Sequence, residues 1–171
     1  MAELTPKERL QPSLLDRLTD DDPDRKQESR EARVLSPARL RECVRRDLTW
    51  LFNTSHLQAL QDVSEYRHVS ETVLNYGIPD LSGRTASSVD TVVMEKTIRQ
   101  SIIDFEPRLN RETLRVKLIV DERHMGHNTM TFDVEAELWA QPLPLRLFLR
   151  TAVDLEDGSV DVVDAGGRRG S

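Results

Sequence analysis

Three groupings in this 171-residue chain have residue types and spacings that could do chemistry. The first is Glu106-Pro107-Arg108, set between Phe105 and Leu109. Pro107 has no amide hydrogen and biases Glu106 toward extended backbone, so residues 106 and 108 project to the same side. An acid and a base thus leave the chain as a couple. It is either a solvated pair or a partly buried contact that a partner surface completes, because burial favours such a pair only when its hydrogen bonds are made. The second grouping takes Glu106 as a general acid with Asp80 or Asp104 as its mate, the arrangement of a lysozyme-like peptidoglycan glycosidase. Arg108 argues against it, since a neighbouring cation favours the charged carboxylate, the wrong bias for a general acid. Aromatic residues, at 5%, offer little sugar-stacking surface. The third is His124 and His127, three apart in a polar stretch from Asp121 to Asn128. Two histidines fall short of the ligand set zinc needs, and the stretch reads as a hairpin loop. His56 and His68 lack partner spacing, and neither a phosphate-binding glycine loop nor a glycine-flanked nucleophilic serine is present. We expect no catalytic residue, no metal and no cofactor.

The element that must position the couple is the helix before it, from Val89 to Phe105. Met94, Ile98, Ile102 and Phe105 fall on one face of a 3.6-residue period. Asp90 and Glu95 sit in the opening turns, where the helix dipole favours acids. Glu95 and Arg99 are spaced for an i, i+4 pair. A second helix starts at Ser36-Pro37, a cap followed by proline, and carries Leu40, Val44, Leu48 and Leu51 on one stripe to about Phe52. Arg41, Arg45 and Arg46 lie off that stripe and read as a solvated face. Residues 55–69 read as turns, and a short helix capped by Ser70 runs to Asn75. Tyr76-Gly77-Ile78-Pro79-Asp80-Leu81-Ser82-Gly83 is a turn-rich loop whose Ile78 and Leu81 should hold it against the core.

Beyond Leu109 the period changes to two. Leu114–Asp121, Met130–Leu138 and Leu145–Val153 alternate apolar with polar residues, as half-buried antiparallel strands do. Asp157-Gly158 signals a hairpin, and Val160 and Val162 a short last strand. Asp133, Glu135 and Glu137 face Arg115, Lys117, Arg146 and Arg150 on neighbouring strands, pairs worth about 0.2–1 kcal/mol each. A sheet of four strands leaves two edges, templates for strand addition, and Pro142 and Pro144 would blunt one end.

Length suits one domain, and 32% charged against 37% hydrophobic residues places some charge outside the core. Residues 1–33 read as an arm: a short Leu-rich anchor, in which Ser13 caps a turn presenting Leu14, Leu15 and Leu18, then the charged linker Asp20–Arg33. That turn is unstable alone. It packs on its own domain or anchors on another protein. Residues 34–164 form one domain and 165–171 a tail. The net charge of −6 argues against a general nucleic-acid binder. Lone Cys43 reads as a buried thiol, and the absence of a signal or apolar span suits a soluble cytoplasmic chain. The fold expected is α+β, two main amphipathic helices on a roughly four-stranded antiparallel sheet.

The order Leu14-Leu15-Asp16-Arg17-Leu18, Tyr76-Gly77-Ile78-Pro79-Asp80, Phe105-Glu106-Pro107-Arg108-Leu109 and then three alternating strands ending in Asp157-Gly158 resembles one family. It is the baseplate wedge family of contractile injection machines, which includes the TssE-like subunits of type VI secretion and a phage protein once labelled lysozyme-like. The resemblance runs from about Pro12 to Asp164. It implies a structural, non-enzymatic subunit that binds the helical bundle of larger wedge subunits and helps start sheath assembly. Glu106, Pro107 and Arg108, with Phe105 and Leu109, would make the wedge contact. Strands Leu114–Asp121 and Leu145–Val153 would supply or neighbour an edge for sheath subunits. It further implies a baseplate docked at the inner membrane of a Gram-negative bacterium. The charged linker and the loop around His124 depart from the pattern.

Overall fold

The computed structural model of the chain describes residues 13–19, 36–63, 65–66, 68–85, 88–119, 129–139 and 144–166. The linker before Ser36, the His124–His127 stretch, Pro142 and most of the tail lie outside them.

Each helix begins where a side chain satisfies orphan amides. Ser13 and Asp16 form a capping box around α1, Leu14–Leu18. Ser36 accepts from the Arg39 amide and Pro37 takes the first turn of α2, Pro37–Phe52. Asp90 accepts from the Val92 and Val93 amides ahead of α3, Thr91–Phe105. Where a Ser70–Asn75 helix was expected, Thr72 is extended (φ −103°, ψ 166°) and splits the segment into two 3-10 turns, Val69–Glu71 and Val73–Asn75.

The strands β1 (Arg115–Ile119), β2 (Thr129–Leu138), β3 (Leu145–Asp154) and β4 (Val160–Asp164) form one antiparallel meander in the order β1-β2-β3-β4. Its register sets Arg115 opposite Glu135, Lys117 opposite Asp133 and Glu137 opposite Arg146. Arg150 grips Asp133 through two bonds of 2.8 and 3.0 Å. This charged face stays open, while Met130, Phe132, Val134, Ala136 and Leu138 bury the other. The helices cover that buried face, α3 over β1 and α2 over β4 and β3. Leu40, Val44, Leu48, Leu51, Ile98 and Ile102 join the core, with Phe52 edge-on to Phe132 at 5.7 Å. Cys43 is buried, as its apolar neighbours suggested.

Helix side chains cap both sheet edges. Glu95 and Arg99 do not use their i, i+4 spacing on each other. Glu95 accepts from the Leu118 amide (2.8 Å) on the outer side of β1, and Arg99 donates to the carbonyls of Leu114 (3.1 Å) and Arg111 (2.8 Å) in the turn that leads into it. On β4, the Asn53 amide bonds both the N–H and the C=O of Val160, at 2.9 and 2.8 Å, as a neighbouring strand would. Arg45 donates to the Val162 carbonyl at 3.1 Å. β3 is internal, so of the two strands expected near an exchange edge only β1 forms one; the other edge is β4.

Candidate functional site

The chain leaves α3 at Glu106 (φ −124°, ψ 77°), and Pro107 prevents another helical turn. The segment is then stitched to the end of β2: the Trp139 amide donates to the Arg108 carbonyl and the Asn110 amide to the Glu137 carbonyl, both at 2.8 Å. That anchoring fixes where the couple points. Arg108 Nε donates to Glu106 Oε1 at 2.6 Å and Nη2 donates to Oε2. Nη2 also donates to Asp47 Oδ2 at 2.5 Å, across 61 residues of sequence. Glu106 is 3% exposed, whereas Arg108 and Asp47 each keep 23%.

Acid and base therefore meet as the spacing predicts, but their charge is balanced largely within this molecule. Asp47, in α2, was not among the expected site residues. Nothing in local spacing relates it to Arg108; the fold alone brings them together. The network continues outward, because Arg46 lies 2.8 Å from both Asp47 and Asp16. It also sits 5.0 Å over the Trp50 ring. The arginines expected on a solvated face are thus committed: Arg41 to the Arg146 carbonyl, Arg45 to β4 and Glu42, Arg46 to this chain of charges. Burial opposes the Arg108 charge, but the bonds and field of Glu106, then Asp47, outweigh it and hold the guanidinium protonated. Burial, then Asp47 and Glu106, push the Tyr76 phenol up.

These residues close one end of a groove of about 540 Å³. Leu48, Trp50, Leu51, Tyr76, Phe105 and Pro107 give it an apolar lining, and Ser13, Leu14 and Leu15 stand at its wall. Tyr76 meets Phe105 edge-on at 5.2 Å. Arg108 Nη1 is buried and has no acceptor among the described residues. Leu109 faces inward, in the core. Leu14, Leu15 and Leu18 stay 71%, 44% and 74% exposed although α1 is tied to α2 by Asp16.

The glycosidase pairing of Glu106 with Asp80 is not assembled. Glu106 is locked to Arg108, and Asp80 lines a different, polar cleft, where its carboxylate bonds Ser82. Burial pushes Asp104 up, against its bond to Gln100 and helped by Glu71. Among the described residues no group of three or more His, Cys, Asp or Glu is placed to hold a metal, and no helix is long and apolar enough to cross a membrane.

His56 is buried outside this site and its Nδ1 has no partner among the described residues; burial holds it below its ordinary 6.5. The unfolded chain takes up a proton near that value and the folded chain only at lower pH, so His56 favours folding above it and loses that contribution on acidification. Melting temperature should therefore fall between about pH 7.5 and 5.5, and less steeply in His56→Gln. Equal slopes in calorimetry would remove His56 as the cause.

Fold and site together define a small α+β domain whose buried charges tether an inter-element turn beside an apolar groove. A family model described as the baseplate wedge protein gp25 matches residues 38–143. The chain belongs to that family, which includes TssE and has a structural role in the baseplate. Neither a curated protein nor a solved structure gives a significant match.

Proposed function

We propose that this chain joins the wedge subunits of a type VI secretion baseplate and helps nucleate the sheath, working in the cytoplasm on a baseplate docked at the inner membrane. The groove beside Glu106-Pro107-Arg108 receives the helical bundle of the larger wedge subunits. The observation that carries this reading is the apolar groove itself, lined by Leu48, Leu51, Tyr76, Phe105 and Pro107 beside the half-exposed Trp50 and bordered by the Glu106-Pro107-Arg108 turn. Trp50 supplies the aromatic anchor such interfaces centre on. Sheath subunits add a strand at β1 or β4, displacing the side chains that cap those edges.

Trp50→Ala is the test for the groove. Trp50 is 49% exposed, so its loss should lower the melt only modestly and leave the chain folded. Co-purification with the larger wedge subunits should weaken about 30-fold, as truncation of a central aromatic anchor does. Undiminished capture by a folded Trp50→Ala chain would reject the groove as the wedge contact.

A further inference from the structure

α1 buries little apolar surface, since all three of its leucines face outward. A five-residue helix cannot persist on propensity. Its attachment is polar and converges on Asp16. That carboxylate receives the Ser13 hydroxyl at 2.6 Å and lies 2.8 Å from Arg46. Arg46 is shared with Asp47, which is shared with Arg108. One unbroken line of alternating charge therefore runs from α1 to the Glu106-Pro107-Arg108 turn, with Leu14 and Leu15 at the groove wall between its two ends.

We propose that α1 is a latch on the groove: closed in the free chain through Asp16, it opens as a unit to admit the occupant. Its leucines stand in the wall where a docking helix must arrive, and the same leucines, once swung clear, are free to pack against that helix. Opening breaks these polar contacts and uncovers the half-buried Leu15, but needs no disruption of the core beneath α2. The role of the latch rests on the groove reading above; its motion does not.

Cys43 is buried close to Asp16 and is the chain's only cysteine, so a maleimide reports opening in the full-length protein. In the closed form the thiol is buried, and burial, then Asp16, push its proton affinity up, which keeps it unreactive. Ser13→Ala removes the capping box but leaves Asp16 beside the thiol, and Asp16→Ala removes the attachment itself. Each should speed labelling about tenfold, by making local opening easier, with the cooperative melt unchanged. A labelling rate unaltered in Ser13→Ala and Asp16→Ala overturns the latch, as does a rise matched by lost global stability. The assay contains no partner. Its failure therefore leaves the groove standing, and failure of the Trp50→Ala binding test leaves the latch standing.

Discussion

Arg108→Ala should destabilise the chain by about 3–5 kcal/mol, the cost of stranding a buried charge whose partner is removed. Glu106 keeps 3% of its surface and would lose both guanidinium bonds, while Asp47 would lose its link to the turn. The double variant Glu106→Gln, Arg108→Met removes both charges and should cost far less than Arg108→Ala, because no uncompensated ion remains. Urea denaturation of the native, single and double variants decides the matter. An Arg108→Ala chain as stable as the native one would mean that the triad holds nothing together. The same expectation governs binding work: lost capture by Arg108 variants has meaning only beside a melt, whereas Trp50→Ala avoids the problem.

Gly77→Ala should be comparably damaging for a different reason. Gly77 has φ +125°, a region side chains rarely enter, and a Cβ there would stand 2.1 Å from the Thr54 carbonyl oxygen. That oxygen cannot retreat freely: it accepts from the Ile78 amide at 2.9 Å, while the His56 amide donates to the Ile78 carbonyl at 3.0 Å. The buried Ser101 hydroxyl donates to Gly77's own carbonyl at 2.7 Å, tying the loop to α3. Strain and displacement together should cost about 3 kcal/mol or more, lowering the melting temperature by about 6–12 °C. Gly83→Ala is the contrast. Gly83 also has a positive φ (+71°), but nothing lies within 4 Å of its Cβ position, so about 1–2 kcal/mol of backbone strain is all it should show. Equal melts for the two variants would mean that the Thr54 contact is not what fixes the loop.

Local features of the fold were readable because they depend on neighbours a few residues away. The Ser36-Pro37 start, the buried stripes and the two-residue alternation of β2 and β3 all follow from period and capping, whereas Asp90, expected inside the first turn of α3, is its cap. Ile78 and Leu81 are buried as the turn-rich loop required. Spacing misled where a long-range partner outbid a local one: Glu95 and Arg99 are set for each other but spend their hydrogen bonds on β1 and the turn that leads into it. Arg45 and Arg46 sit off the apolar stripe, yet β4, Asp16 and Asp47 claim them. At the site, Glu106 and Arg108 were found because proline geometry makes them face one way. Asp47 was not, since its tie to Arg108 exists only once α2 lies beside the turn.

The caps on β1 and β4 bear on when this protein associates with anything. A bare edge recruits copies of itself, and a subunit made in excess would grow fibres far from its machine. Here a few side-chain hydrogen bonds, each worth about 1 kcal/mol net, occupy the Val160 and Leu118 positions. They deter chance collisions between free copies, yet yield to an incoming chain that brings a whole ladder at once. Under the proposed function, strand addition is then reserved for a place where such a chain is presented in order, which makes the sheet a timed surface.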